Sequence, residues 1–491
     1  MRNVVRLVRN GRVVQLRDIR PDLTLIEYLR LVERATGTKN SCEEGVCGAC
    51  TVAIGRLRGD EIVYESANAC AVLVVQLDGC EVVAIEDIAD DDGTLHPVQE
   101  ALTEEHATHC GFCTPGMAMS LFALHQSTSG SLDEDAVRGS IEGNLCRCTG
   151  YRSIIAAGVR SGTKRKASRV DRMRPETTKL LKELADDQEL MIGSGEQFVA
   201  APTSLDRADS LRSDHSGAVI TGGMSFGLRA KRGDRQIILV TRIAELRRIE
   251  QSASELVIGG AVTLAEAQAA LDAFDPDAGA MIRRIAGPQE RSIVTLSDCL
   301  FGGRNGAVLG AILQALGAEI IFLRDGKSKS IDAGAIYNVD GTADPELGQL
   351  LVEIRISRPK SNAVFRAFMV GQRWDLSDAI VAGAFMFDLD ADGKIAGAAL
   401  ALAGLSTAPK RSSGAEAALI GFGPLDRSVW PTAFAALRAD FAAGMADRVS
   451  ARYRTETAQA LLGKALIEAG GSSDSRTRMR GFREAGRHAA R

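Results

Sequence analysis

Gly37-Thr-Lys-Asn-Ser-Cys42-Glu-Glu-Gly45-Val-Cys47-Gly48-Ala49-Cys50-Thr51 sets three cysteines in a C-x4-C-x2-C loop, and Cys70 follows after nineteen intervening residues. That is the plant-type spacing for four thiolates around a 2Fe-2S cluster. Two irons and two sulfides must be wrapped closely, with backbone N–H groups aimed at the sulfurs, and Gly45, Gly48 and Ala49 leave room for the chain to pass. A four-cysteine zinc site is the bland alternative, although structural zinc usually takes two C-x2-C knuckles and this loop has one.

A second set follows: Cys110-Gly-Phe-Cys113 and Cys146-Arg-Cys148, thirty-two residues apart. Cys113 lies just before a helix opening at Pro115, and Cys148 just before one starting after Thr149. Two helix N-termini there stabilise thiolates through their partial positive charge. On spacing, a cluster and a single metal ion on the C-x-C pair both remain open. Cys80 and Cys299 stand outside both sets and read as small buried hydrophobes.

Around the first loop, Val4–Val8 and Val13–Leu16 flank Asn10-Gly11, a hairpin signal. Thr24 and Glu27 form a capping box, with Leu25, Tyr28, Leu29 and Val32 on one helical face that stops at Gly37. Strand-like runs Thr51–Ile54, Ile62–Tyr64 and Val82–Ile85 complete a domain over 1–90. Residues 91–165 change to capped helices, with Thr114-Pro115, Ser131 with Glu134, and Thr149 ahead of Ile154 and Ile155. Arg160–Arg174 is basic and nearly free of apolar residues, which predicts an exposed linker over 166–190 or, less simply, a nucleic-acid patch. Beyond it, strands at Ala218–Thr221, Ile237–Val240, Leu256–Ile258 and Leu351–Ile356 mix with helices at Leu264–Leu271 and Ala307–Leu316, in more than one lobe. The tail over 469–491 is Gly, Ser and Arg-rich and is expected to be disordered.

A chain of 491 residues implies several domains. With 45% hydrophobic and 25% charged residues, and 59 Lys+Arg against 63 Asp+Glu, neither global disorder nor a nucleic-acid-binding charge excess is indicated. Met1–Leu16 alternates apolar and basic residues, unlike a signal peptide. Gly306–Leu323 is broken by Gly310, Gln314, Gly317 and Glu319, so a buried helix running into a strand is expected there and no membrane span. A cytoplasmic protein is expected, in which ten cysteines are not expected to make a disulfide framework.

The strings 37–51, Cys110-Gly-Phe-Cys113-Thr-Pro-Gly116 and Gly143-Asn-Leu-Cys146-Arg-Cys148-Thr-Gly-Tyr-Arg152 resemble the two iron–sulfur domains of the molybdenum hydroxylases, the xanthine oxidase family. The resemblance implies a 2Fe-2S cluster on Cys42, Cys47, Cys50 and Cys70, and another on Cys110, Cys113, Cys146 and Cys148. Val219-Ile220-Thr221-Gly222-Gly223-Met224-Ser225-Phe226 is similar to the family's strand-turn for the FAD pyrophosphate. Thr295, Ser297, Asp298 and Cys299 stand in its second glycine turn, and Ile258–Leu264 and Leu316–Ile320 resemble later strands. Residues 365–466, with Pro409-Lys-Arg411 and Tyr453-Arg454, are similar to its C-terminal flavoprotein lobe. The implied fold is multidomain α+β: a ferredoxin-like β-grasp 2Fe-2S domain (1–90), an all-helical 2Fe-2S domain (91–165), a two-lobed α+β FAD-binding domain (191–362) and a C-terminal α/β flavoprotein lobe (363–468).

Two clusters and then flavin, without a molybdenum domain, are similar to the small subunit of the family's bacterial xanthine dehydrogenases. That implies a large partner subunit carrying a molybdenum-pterin cofactor, oxidation of hypoxanthine or xanthine there, and electron passage through the Cys110 set and the Cys42 set to FAD and NAD. A heterotetramer of two small and two large chains and no catalytic side chain in this chain are also implied. The same subunit type serving an aldehyde or N-heterocycle, and a flavin-free iron–sulfur binding or assembly protein, are the alternatives. This sequence departs from the family at His109 (usually Gln), Val308 (Asp) and Met369 (often Lys). Ser297 and Asp298 replace turn glycines, adding bulk and a like charge beside an anion. Thr221-Gly222-Gly223 and Gly259-Gly260 then remain as expected phosphate carriers, and Asp298→Gly is expected to raise FAD occupancy.

Overall fold

The structure, a computed structural model, describes residues 1–163, 165–215, 217–223, 236–302, 306–338, 350–373, 378–445 and 450–471. The chain divides into two compact units, Met1–Ala244 with Gly287–Asp298, and Glu245–Ala286 with Cys299–Arg491.

The first unit opens with a five-stranded mixed sheet of β1 (Val5–Arg9), β2 (Arg12–Leu16), β3 (Thr51–Arg58), β4 (Glu61–Asn68) and β5 (Glu81–Val83), in the order β2-β1-β5-β3-β4. Asn10 (φ 53°) and Gly11 (φ 67°) both sit in the left-handed region, as a tight two-residue hairpin between twisted strands requires. The capping box at Thr24 is present, with the Glu27 carboxylate accepting from the Thr24 N–H at 3.0 Å. The helix it starts differs from expectation. After Leu25–Glu27 the chain continues as a π-turn over Tyr28–Val32. This wider turn rotates the register, so Leu25, Tyr28 and Leu29 are buried while Val32 is exposed.

Four helices follow, at Pro97–Glu104, Thr114–Ser127, Glu134–Ile141 and Arg152–Thr163. Two caps are displaced from the predicted residues. Cys113 occupies the N-cap before Thr114, and Asp133 caps the third helix in place of Ser131, accepting from the Ala136 N–H at 2.7 Å.

The expected linker is instead a sixteen-residue helix, Arg169–Leu184, capped by Ser168. Val170, Leu181 and Leu184 join Val8, Ala53, Tyr64, Val83 and Phe122 in one core. Each fully buried aliphatic side chain contributes roughly 1.5–3 kcal/mol. The basic residues face outward onto partners: Arg172 on Asp90, and Lys182 on Asp60 at 2.5 Å. A second sheet of β6 (Leu190–Ser194), β7 (Gln197–Ala201), β8 (Val219–Thr221) and β9 (Gln236–Leu239) runs β6-β7-β9-β8, with β9 parallel to both of its neighbours. β8 ends in the Thr221–Gly223 turn.

The second unit holds an antiparallel sheet of β10 (Ile249–Gln251), β11 (Glu255–Gly259), β12 (Glu319–Arg324), β13 (Lys327–Asp332) and β14 (Leu350–Ser357), ordered β10-β11-β14-β12-β13. The buried Gly306–Ala315 helix leads into β12 as the broken apolar run predicts. Last come β15 (Ala363–Gly371), β16 (Ala379–Leu389), β17 (Ile395–Ala403) and β18 (Lys410–Arg411). Their inner face, with Phe385, Phe387, Leu400 and Leu402, packs on Leu437, Leu462 and Leu466 of the later helices. Where an α/β lobe is expected, this sheet is wholly antiparallel and its helices follow it in sequence. The architecture is multidomain α+β. Among the described residues no helix is long and apolar enough to cross a membrane. The tail over 472–491 lies outside the described residues.

Candidate functional site

Three cysteines of the first thiol set lie on the loop between the π-turn and β3, and the fourth, Cys70, follows the end of β4. Glu43 (φ 56°), Gly45 (φ 72°) and Gly48 (φ 67°) curl the loop inward. The Cys42 thiol lies within hydrogen-bonding reach of Cys47 and Cys70, and Cys50 within reach of Cys70. Cys42 is held far below the usual thiol range because Cys47 and Cys70 donate to it, while Cys70 is pushed far up by that same sharing of protons. Backbone N–H groups of Glu44 and Val46 aim at the Cys42 sulfur, that of Glu44 at 3.4 Å. This is the arrangement that stabilises cluster thiolates. Cys42 and Cys47 are half-buried, whereas Cys50 and Cys70 are 2% and 4% exposed. Asn68, which no spacing singled out, ends β4 and donates to the Gly45 carbonyl at 2.6 Å.

The second set is nearer the surface. Cys110 and Cys148 are exposed with sulfurs 3.8 Å apart, and Cys113 shares a hydrogen bond with Cys146. Burial, and then Cys146, pushes the Cys113 thiol up to about 12. One helix N-terminus, at Cys113, meets this set. The other expected one does not, because Gly150 (φ 64°) and Tyr151 (φ 67°) intervene before Arg152. Tyr151 instead turns its hydroxyl back to accept from the Cys146 N–H at 2.8 Å. Phe112 (46% exposed) and Leu145 (43%) flank the set, and His109 is exposed beside it. No three Cys, His, Asp or Glu side chains among the described residues converge as ligands of a single ion. The second set comes together as two pairs, Cys110 with Cys148 and Cys113 with Cys146, whereas the first is a run from Cys47 through Cys42 and Cys70 to Cys50.

A buried polar bracket joins the two loops. Asn144 donates to the Gly48 carbonyl at 2.9 Å and to Thr51 Oγ1 at 3.1 Å. Its own Oδ1 accepts from Ser120 (2.7 Å) and from Gln289 Nε2 (2.8 Å). The Leu145 N–H donates to the Cys47 carbonyl at 2.9 Å, so one hydrogen bond connects a cysteine of the first set with the residue preceding Cys146. There is no space for a methyl between the loops, since a Cβ on Gly116 would lie 2.2 Å from the Gly48 carbonyl oxygen.

The two expected flavin segments also meet. Val219 and Ile220 lie on β8, and Thr221–Gly223 form its turn; Met224, Ser225 and Phe226 lie outside the described residues. Thr295, Ser297, Asp298 and Cys299 are all buried. Asp298 Oδ1 accepts from Thr221 Oγ1 at 2.6 Å and from the Gly222 N–H at 3.0 Å. Its Oδ2 accepts from the Thr295 N–H at 3.3 Å. Burial raises its pKa, and the hydrogen bonds from Thr221, Gly222 and Thr295 oppose the rise. A Cβ on Gly222 would sit 2.1 Å from Thr295, which is why glycine is needed there. The Gly259–Gly260 pair does not serve as a free phosphate cradle. Its N–H groups donate to the Arg248 and Val352 carbonyls, at 2.9 and 3.0 Å, and its faces pack on backbone. Val308 is buried in its helix, and the carbonyl of the buried Met369 accepts from Arg284 at 2.6 Å.

Four family models match in sequence along this chain. They are a 2Fe-2S iron–sulfur cluster binding domain (9–75), a [2Fe-2S] binding domain (84–158), the FAD binding domain in molybdopterin dehydrogenase (194–359) and the CO dehydrogenase flavoprotein C-terminal domain (366–469). Xanthine dehydrogenase of Drosophila subobscura is 30% identical over 434 residues, 76% of this chain and 32% of that protein. The chain belongs to the molybdenum hydroxylases. Aldehyde oxidase 2 of Cavia porcellus, another relative, is 44% identical over 151 residues, 30% of this hydroxylase chain and 11% of that protein. Among solved structures, CO dehydrogenase from Oligotropha carboxidovorans covers 57% of this chain with 99% of its own, at a TM-score of 0.50 and 23% identity, a likeness of fold. This molybdenum hydroxylase chain therefore has two 2Fe-2S binding domains and an FAD-binding domain. It spans about a third of the length of the curated xanthine dehydrogenases it matches.

Proposed function

We propose that this chain is the electron-transfer subunit of a xanthine dehydrogenase, conveying electrons from purine oxidation on a partner chain to NAD. Its partner carries the molybdenum-pterin cofactor, and two chains of each kind make a heterotetramer. Cys42, Cys47, Cys50 and Cys70 hold one 2Fe-2S cluster, and Cys110, Cys113, Cys146 and Cys148 the other. The domains run 1–90, 91–165, 191–362 and 363–468, with the Arg169–Leu184 helix packed on the first. When bound, the clusters and flavin supply one-electron and hydride chemistry that side chains lack.

The observation that carries this proposal is the hydrogen bond from Leu145 N–H to the Cys47 carbonyl, together with the difference in exposure between the two sets. Electron tunnelling falls off more slowly along bonded contacts than through empty space. The exposed set, rimmed by Phe112 and Leu145, suits contact with a partner, and the buried set suits the inward side of a relay. Cys113→Ser in the assembled complex should abolish purine-to-NAD turnover while leaving NADH-driven dye reduction at the flavin largely intact. Equal loss of both activities would count against this order.

A second substrate reading, aldehyde or N-heterocycle in place of purine, is supported by the aldehyde oxidase relatives; substrate choice then rests on the partner. A flavin-free iron–sulfur role draws support from Asp298. The flavin-to-iron ratio of the purified chain separates it from the others.

A further inference from the structure

Two hydrogen-bond donors of the Thr221–Gly223 turn converge on one carboxylate oxygen. Thr221 Oγ1–H and Gly222 N–H both donate to Asp298 Oδ1, at 2.6 and 3.0 Å, and the Gly223 N–H is taken by Thr221 Oγ1 at 2.9 Å. From the other side Gln76 Nε2 donates to the Gly222 carbonyl at 2.9 Å. Asp298 also has a local duty: with Thr295 it closes a reciprocal pair, its Oδ2 on the Thr295 N–H and its own N–H on Thr295 Oγ1. That duty uses Oδ2 alone. The bonds of Oδ1 to the turn are surplus to it.

A carboxylate and a phosphate make the same demand on such a turn, since each brings anionic oxygens that accept from N–H and O–H groups. We propose that Asp298 is a built-in anion for the Thr221–Gly223 turn, so that a flavin pyrophosphate has to displace a side chain of this chain and FAD is an exchangeable cofactor. This rests on assigning the turn to the pyrophosphate. Two anions cannot share these donors in a dry site, because poorly screened like charges repel.

The test uses the full iron-loaded chain with its flavin removed, titrated with FAD and, separately, with riboflavin, which has no phosphate; dissociation constants are read from flavin fluorescence. Asp298→Gly should tighten FAD by about tenfold or more, as expected for removing a like charge from a poorly screened site. Asp298→Asn, which keeps an acceptor for Thr295, should tighten it less. Riboflavin affinity and iron content should not move. If Thr221→Val weakens FAD while both Asp298 variants bind it like the parent, the turn serves the pyrophosphate and the internal-anion proposal is overturned. If neither Thr221→Val nor the Asp298 variants alter FAD affinity, or no variant binds FAD, the assignment of the turn itself fails.

Discussion

Asn144 is the residue on which the two cysteine loops depend for their mutual placement. Its amide meets Gly48, Thr51, Ser120 and Gln289 in a buried network, partners that lie on three separate stretches of chain. Truncation leaves several buried polar groups without their partner, and each such group costs about 1–3 kcal/mol. Asn144→Ala should therefore lower stability by at least ~2 kcal/mol, measured by denaturant unfolding of the iron-loaded chain, and should shift the electron paramagnetic resonance of the reduced clusters. An unchanged spectrum would show that the bracket does not govern the cluster surroundings. The cysteines were legible because ligand spacing is local. Gln289 was not, because its partners Ser120 and Asn144 lie 169 and 145 positions away and only folding brings them together.

At the scale of elements, the cap of the Pro97–Glu104 helix and the Thr114–Ser127 helix bury two histidines against each other, the ring centres of His96 and His125 lying 5.0 Å apart. Burial lowers both, to about 3 for His96 and about 4 for His125. A histidine with a depressed folded pKa contributes stability that is fully present above its unfolded value near ~6.5 and is lost as pH falls toward the folded value. Acidification from pH 7 to pH 5 should then cost about 2 kcal/mol per histidine. His125→Leu should remove about half of that slope in urea midpoints measured at both pH values. Hairpin and capping-box chemistry made β1, β2 and the Thr24 turn readable. The Arg169–Leu184 helix was hidden because its buried stripe amounts to Val170, Thr177, Leu181 and Leu184 amid a basic surface. Gly259 and Gly260 misled because glycine serves close backbone packing as well as anion binding.

For the molecule as a whole, two four-thiol sets predict about four irons per chain, two in each cluster. Colorimetric iron and sulfide assays after anaerobic purification check this, and zinc in their place would sink the assignment. The difference in exposure between the sets also makes them unequal toward chelators. An iron chelator acting on the reduced chain should strip the Cys110 set first and release the remainder only as the fold opens, giving two phases of absorbance loss in equal proportion. Running in reverse, the tight seam, where a Cβ on Gly116 would meet the Gly48 carbonyl and one on Gly48 the Gly143 carbonyl, predicts an order of manufacture. Iron and sulfide should then fill the Cys42 set only when present as the chain refolds, whereas the exposed Cys110 set should refill on the folded protein, and equal refilling of both sets on the folded chain would refute this order.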